Sequence, residues 1–325
     1  MNPIASRQME RTVCFVLLPH VHLLDLAGPA QVFYEATQLG LARYRLVYAG
    51  FDEDLTAEQG LRFTALQPPD KWKLTPDDLI VVAGIDFRAF VEGKQQRTVA
   101  RLRPWLKKQA AAGVPIASIC SGALVLAEAG LLDGRKCTTH WKCIDFMRQR
   151  YPHISVQADQ LYVHDRGVYT SAGMTAGIDM ALSLLEQTHG PVVSAKVARE
   201  MVVYLRRNHD DTQQSIYLDY QTHFNPAIHR VQDHILSHPH QDFTLEELAE
   251  VGNVSVRNLT RLFKKATGHT IVQFKNTVKV EVARALLHNA NFSAEEIAAR
   301  CGFGSARQLR RVWRQHTGLP LKKVR

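Results

Sequence analysis

A cysteine stands where a buried strand is predicted to end and a helix to begin. The apolar run VPIASIC (114–120) is followed by Ser121, Gly122 and a helical pattern. A strand, a sharp turn at the nucleophile and then a helix make up the architecture of a nucleophile elbow. At a helix N-terminus the dipole and the free amides favour a thiolate. The sequence therefore predicts a reactive or ligand-binding thiol at Cys120, with the amides of Ser121 and Gly122 as a small anion site.

Other residues are predicted to reach the same place. His140 lies in CTTHW (137–141), Asp25 follows the first predicted strand in LLDLAGP, and Gly84 ends the third. The carboxyl ends of parallel strands meet at one edge of a sheet, which is where ligands bind in open α/β folds. The candidate ligand-binding residues are Asp25, Gly84, Cys120, Ser121, Gly122 and His140.

Plainer interpretations of these residues stay open. A buried cysteine is often only a small apolar side chain; His140 could be a structural histidine bonded to the backbone, and Asp25 could cap a helix. Three functions fit the thiol: a sensor without turnover, a hydrolase, amidase or glyoxalase, or a redox sensor. An enzyme needs His140 and a carboxylate within hydrogen-bond reach of the thiol or the substrate. A redox sensor lacks a second cysteine at an obvious resolving spacing.

The elements that must position these residues alternate between strands and helices. Nearly continuous apolar runs predict strands covered on both faces, and the helical patterns between them predict a parallel sheet with helices on each side. A hairpin and two long helices should complete this part of the chain. The predicted strands are 12–18, 44–50, 78–84 and 114–120, the helices are 23–40, 95–113, 174–190 and 191–207, and the hairpin is 161–173, turning at 165–167.

Composition limits the class of protein. A chain of 325 residues with 46% hydrophobic and 22% charged residues is expected to form two or three globular domains. No apolar run is long enough to span a bilayer, and the scattered, odd set of five cysteines predicts reduced thiols in a cytoplasm. We predict no metal and no cofactor.

The positive charge is concentrated at one end. Residues 226–325 carry 16 Lys and Arg against 8 Asp and Glu, whereas residues 1–225 carry 24 against 23. This asymmetry indicates a polyanionic partner for the C-terminal part alone.

That basic part contains an internal repeat. Residues 244–268 (TLEELAEVGNVSVRNLTRLFKKATG) align with residues 293–318 (SAEEIAARCGFGSARQLRRVWRQHTG), with one extra residue in the second turn. Each copy predicts a capping box, a short helix, a tight turn and a longer helix. Two helices joined in this way form a helix-turn-helix unit.

The second helix of each copy should present a cationic face. Residues 255–266 and 305–316 each carry four Lys or Arg and no acidic residue, opposite an apolar stripe. Solvated surface helices are also often basic, but two such helices in register favour DNA binding. The predicted DNA-contacting residues are Ser255, Arg257, Asn258, Arg261 and Lys264, and Ser305, Arg307, Gln308, Arg311 and Arg314.

The last hundred residues resemble the AraC-type DNA-binding domain, through LxELA (245–249), SxRxLxRLFKKATG (255–268) and LRRVWRQHTGLPLKKVR (309–325). This resemblance implies two helix-turn-helix units joined by a long helix at about 270–290. Their recognition helices would enter successive major grooves about 34 Å apart. Arg257, Asn258, Arg307 and Gln308 would read base edges, and Lys264 and Arg314 would lie by phosphates.

Residues 12–206 resemble the PfpI-like branch of the class I glutamine amidotransferase superfamily, through ASICSGALVLAEAGLLDGRKCTTHW and TSAGMTAGIDMALSLLE. Together the two parts resemble the GlxA-like transcriptional regulators. The resemblance implies a flavodoxin-like sensor and dimerisation domain (1–207), a linker (208–225) and an all-α DNA-binding domain (226–325). It implies a homodimeric regulator, more often an activator, that binds operator DNA and a small effector such as a nitrogen-containing metabolite and contacts RNA polymerase. Catalysis is not expected.

Overall fold

The computed structural model describes residues 9–203, 223, 225–287, 292–317 and 320–321. The chain divides into two compact units, Met1–Gln213 and Gln214–Arg325, and each unit has its own buried apolar clusters. Of the predicted linker, 208–225, all but His223 and Asn225 lies outside the described residues. No helix in the described part is both long enough and apolar enough to cross a membrane.

The first unit is built on a six-stranded sheet in the order β2-β1-β5-β6-β10-β9. The first five strands in this order are parallel, and their connectivity is that of the flavodoxin-like fold. The edge strand β9 runs antiparallel to β10, as the predicted hairpin requires. The strands are β1 (Arg11–Val16), β2 (Tyr44–Ala49), β3 (Leu55–Thr56), β4 (Arg62–Phe63), β5 (Leu79–Val82), β6 (Ile116–Ile119), β7 (Lys136–Cys137), β8 (Ser155–Val156), β9 (Tyr162–Asp165) and β10 (Val168–Ser171).

Helices cover both faces of this sheet and form two apolar cores. One core packs α3 and α4 against the sheet, and the other packs α1, α6 and α7. The prediction of a parallel sheet between helical layers is confirmed. The helices are α1 (Leu23–Gln38), α2 (Phe87–Val91), α3 (Gln96–Ala111), α4 (Gly122–Glu128), α5 (Ile144–Arg150), α6 (Thr175–His189) and α7 (Pro191–Glu200).

One predicted helix is shorter than expected. The pattern at 191–207 predicted a helix throughout, but α7 ends at Glu200; residues 204–207 lie outside the described part of the chain. Val202 has a φ of +54°, which a right-handed helix does not accommodate.

The second unit is helical in every element that the structure describes. The helices are α8 (Pro226–Ser237), α9 (Leu245–Gly252), α10 (Val256–Thr267), α11 (Ile271–Leu287), α12 (Ala294–Arg300) and α13 (Ala306–Thr317). Both predicted capping boxes are present, Thr244 with Glu247 and Ser293 with Glu296. The pairs α9–α10 and α12–α13 are the two predicted helix-turn-helix units, and α11 is the predicted connecting helix.

Candidate functional site

The turn after β6 has the geometry of a nucleophile elbow. Cys120 has a φ of +56°, a strained conformation for a residue with a Cβ, and Gly122 begins α4 two residues later. A Cβ at position 122 would lie 2.5 Å from the carbonyl oxygen of Val82. Glycine therefore lets the helix start directly against strand β5, which fixes where the thiol stands.

Asp25 and Cys120 meet at the carboxyl edge of the sheet, as predicted. Asp25 is fully buried, and its carboxylate lies close enough to the Cys120 thiol for each group to shift the pKa of the other. Gly84 lies between the two side chains. A Cβ at this position would overlap Oδ2 of Asp25 and lie 2.8 Å from the Cβ of Cys120, so only glycine fits. The alternative of Asp25 as a helix cap is wrong, because His22 is the N-cap of α1 and Asp25 bonds across the site instead.

The loop after β10 closes this site from the far side. The amide of Met174 donates a hydrogen bond to Oδ1 of Asp25 at 2.7 Å. Gly173 has a φ of +126°, and a Cβ there would lie 2.8 Å from the sulfur of Cys120. Met174 itself has a positive φ and an exposed side chain at the rim of the site. Residues from four sheet connections thus surround one thiol and one carboxylate.

Burial shifts the pKa of both members of this pair. It raises the pKa of the Cys120 thiol well above its ordinary value, and the charge of Asp25 raises it further. Burial also raises the pKa of Asp25, against the lowering effects of the Met174 amide, His22 and Cys120. The expectation of a thiolate is therefore wrong: the helix terminus does not offset the loss of water around a side chain that is 4% exposed.

The hydroxyl of Ser121 is engaged in holding the elbow. Its hydroxyl donates to the carbonyl oxygen of Ile85 at 2.5 Å and accepts from the amide of Ile85 at 2.8 Å. The Ser121 amide faces the Cys120 sulfur, whose thiolate it would stabilise. The predicted anion site at the amides of Ser121 and Gly122 gains no support, because α4 has only seven residues and both residues are buried.

His140 lies near the elbow but is bonded to the backbone. Its Nδ1 accepts from the amide of Lys142 at 3.3 Å, and its ring lies beside Trp141. Burial lowers the pKa of His140, with further lowering by Lys142 and His22. In the described structure no hydrogen bond joins His140 to Cys120 or Asp25. The structural-histidine interpretation is the one that this geometry supports.

Sequence reasoning missed three residues of the site. Gly173 and Met174 contact the pair directly, and Thr139 donates from its hydroxyl to the carbonyl oxygen of Cys120 at 2.9 Å. The Ser-Ala-Gly-Met run at 171–174 was the available signal, because a glycine directly after a strand often marks a positive φ. Nothing local in the sequence indicated which strand end it would face.

The second helix of each helix-turn-helix unit presents the predicted cationic face. Leu259 and Phe263 in α10, and Leu309 in α13, are fully buried, which turns the basic side chains outward. Among the described residues none of these cations has an ion-pair partner. The exposed cations are Arg257, Arg261, Lys264 and Lys265 in α10, and Arg307, Arg310, Arg311 and Arg314 in α13.

Polar groups at the start of these helices are partly engaged in capping. Ser255 and Ser305 are exposed and accept the amides of Asn258 and Gln308 at 3.4 and 3.2 Å. The side-chain oxygen of Gln308 accepts from the amide of Gly304 at 2.9 Å. A contact from Gln308 to a base would therefore have to come from its amide nitrogen, whereas Arg257 and Arg307 present whole guanidinium groups.

Comparison with protein families matches both units. Residues 11–187 match the DJ-1/PfpI family, and residues 248–325 match a helix-turn-helix domain. The chain is 31% identical to the HTH-type transcriptional regulator GbdR of Pseudomonas aeruginosa over 319 residues, which are 97% of this chain and 84% of that protein. It is 28% identical to the HTH-type transcriptional regulator GlxA of Rhizobium meliloti over 62% of this chain and 61% of that one.

Two further similarities each cover a little over half of the chain. The isonitrile hydratase of Pseudomonas putida is 31% identical over 185 residues, which are 56% of this chain and 74% of the hydratase. The crystal structure of an AraC family transcriptional regulator from Pseudomonas putida superposes with a TM-score of 0.51 at 20% identity, over 59% of this chain and 99% of that chain. At this identity the superposition shows a shared fold only.

Proposed function

The chain belongs to the DJ-1/PfpI family and to the GlxA-like, AraC-type transcriptional regulators, and from this membership we propose that it couples operator binding to a small metabolite. DNA binding belongs to residues 226–325, and sensing and dimerisation belong to residues 1–207. The activated form contacts RNA polymerase at the promoter. The family similarity supports the class of regulator, and the two sites described above support the division of labour.

The paired cationic faces carry the DNA-binding proposal. Each recognition helix places four cations opposite a buried apolar stripe, and none of them has an ion-pair partner within the described residues. Arg257 and Arg307 stand in the first turn, the part of a recognition helix that reaches base edges in the major groove. Lys264 and Arg314 stand two turns later, where phosphates are contacted.

The full chain should select a duplex with two half-sites from random DNA. If the two cationic faces neutralise six phosphates, log K should fall with log salt at a slope of about −5, because each neutralised phosphate contributes about −0.9. Band-shift selection followed by titration between about 50 and 200 mM salt measures this slope. Weak binding without sequence preference would contradict the proposal.

The elbow is the proposed effector site. Cys120, Asp25 and the amide of Met174 lie at the carboxyl edge of the sheet, where ligands bind in this class of fold. The Met174 amide holds Oδ1 of Asp25, which leaves the Cys120 thiol and Oδ2 of Asp25 as polar groups for a small polar or zwitterionic metabolite. Gly84 and Gly173 pack so closely on Cys120 that a Cβ at either glycine would lie 2.8 Å from the Cys120 side chain. Non-catalytic sensing is consistent with a thiol whose pKa burial has raised.

Substitution of Cys120 should separate sensing from chemistry. Cys120→Ser nearly keeps the volume and should retain a response to effector, whereas Cys120→Leu overfills the space beside Gly84 and Gly173 and should abolish it. Thermal shift of the full chain with amino acids, betaines and related metabolites detects the effector, because 100-fold excess over Kd adds about 2.7 kcal/mol of stability. Equal responses of wild type and Cys120→Leu would exclude the elbow as the effector site.

A hydratase-like enzyme is the second candidate, because the isonitrile hydratase of Pseudomonas putida is a relative over 56% of this chain. Isonitrile turnover is therefore assayed on the same variants. Turnover that requires Cys120 would favour the enzyme. The protonated thiol and the backbone-bonded His140 favour the sensor.

A further inference from the structure

The two helix-turn-helix units share one helix but have separate cores. Phe274 and Val278 of α11 belong to the core of the first helix-turn-helix. Val280 and Ala283 of the same helix belong to the core of the second helix-turn-helix. The boundary between the cores therefore falls at Lys279, the residue between Val278 and Val280.

Lys279 is buried although it is charged. Its side chain is 8% exposed, and its Nζ donates to Oδ1 of Asp242 at 2.9 Å and to the carbonyl oxygen of Gly302 at 2.6 Å. The same ammonium group lies 5.7 Å from the ring centre of Phe303. A buried ammonium is costly unless it is paired and hydrogen-bonded, and these contacts satisfy it.

The contacts of Lys279 come from different units. Asp242 lies two residues before Thr244, the N-cap of α9 in the first helix-turn-helix. Gly302 lies in the turn between α12 and α13 of the second helix-turn-helix. The two segments also touch without Lys279: Gly302 has a φ of +72°, and a Cβ there would overlap the carbonyl oxygen of His240. In the aligned repeats, the turn between α12 and α13 has one extra residue relative to the turn between α9 and α10. This longer turn contains Gly302 and Phe303, which contact Lys279 and His240 where the two helix-turn-helix units meet.

We infer that Lys279 is a positioning residue that fixes the angle between the two recognition helices and so sets the operator half-site spacing that the protein accepts. This inference rests on the proposed DNA binding and adds to it the source of the spacing preference. Two grooves can be occupied together only if both helices are held at the separation that the duplex offers, about one helical turn. If the two helix-turn-helix units could rotate freely about α11, the effective concentration of one unit at its half-site would be lower while the other unit is bound.

Lys279→Met tests this role because it removes the charge and keeps the length of the side chain. The substitution removes one partner of an ion pair, but the remaining partner, Asp242, is 77% exposed and stays hydrated, so no unpaired charge is left buried. Kd is measured for the selected operator and for the same operator with 2 bp inserted between half-sites, which turns one half-site by about 70°. Wild type should discriminate strongly between the two duplexes. In Lys279→Met, affinity for the native spacing should fall about tenfold and the discrimination should shrink.

Lys275→Met is the matched control. Lys275 lies one turn earlier on α11, and its Nζ also lies 3.2 Å from Oδ1 of Asp242. Its ammonium group contacts the carbonyl oxygen and the ring of Phe243, which precedes the first helix-turn-helix, and it has no contact to Gly302 among those described. It should keep the wild-type spacing preference. If Lys279→Met does not fold, Asp242→Asn carries the test with the same expected direction, since Asp242 is largely exposed.

The outcomes are distinct. The role of Lys279 is overturned if Lys279→Met keeps the wild-type ratio of Kd values for the two duplexes, or if Lys275→Met loses as much affinity and discrimination as Lys279→Met does. A wild-type protein that selects no operator refutes the proposed function instead.

Discussion

Cys120 should react with iodoacetamide at pH 8 at least about tenfold more slowly in the folded protein than in the unfolded chain. Only the thiolate attacks, and each unit by which the thiol pKa rises lowers its thiolate fraction about tenfold. Burial and then the charge of Asp25 raise this pKa well above its ordinary value. The rate should therefore still be rising at pH 10. A plateau below pH 8 would indicate an activated thiolate and would favour the enzyme.

Asp25→Asn should accelerate this reaction. The substitution removes the negative charge that disfavours the thiolate, so the pKa of Cys120 falls and more thiolate is present at pH 8. The amide oxygen of Asn can still accept from the Met174 amide, which keeps the loop in place. Peptide mapping after labelling measures the rate at each cysteine. Cys14, Cys137, Cys143 and Cys301 are also buried and serve as internal controls, because general loosening would accelerate all of them together.

Arg307→Ala should weaken binding to the selected operator by about 1–3 kcal/mol, a factor of about 5 to 150 in Kd. The guanidinium group stands in the first turn of α13 and has no ion-pair partner among the described residues, so the substitution removes the proposed DNA contact with little effect on folding. Because a bidentate contact to guanine discriminates against other bases, preference should relax at one operator position only. Repeating the DNA selection with the variant measures this change.

Lys264→Ala is the matched comparison. Lys264 is exposed on α10 at the predicted phosphate-contacting position. Its loss should weaken binding to all sequences by a similar factor and flatten the salt slope by about one unit. If both variants lose affinity equally for every sequence, Arg307 does not read a base.

The sequence by itself determined the features that depend on neighbouring residues. The spacing of apolar residues and the capping boxes are set within a few residues, so the central strands, the long helices and both helix-turn-helix units followed from local pattern. The outward face of α10 was also predictable, because a basic stripe opposite Leu259 and Phe263 leaves only one face for the core. The repeat in the chain doubled this signal.

Only the tertiary structure decided the environment of the elbow. Asp25 and Met174 are 149 residues apart and meet because β1 and β10 end at the same edge of one sheet. The sequence placed Cys120 at a helix N-terminus, where a thiolate is expected, but packing removed water from the thiol and reversed the direction of its pKa shift. Lys279 likewise has the local pattern of an exposed helix lysine, and it is buried because the turn at Gly302 packs over it. Pattern reports which face of an element is apolar, whereas burial of a charge depends on what the rest of the chain places against it.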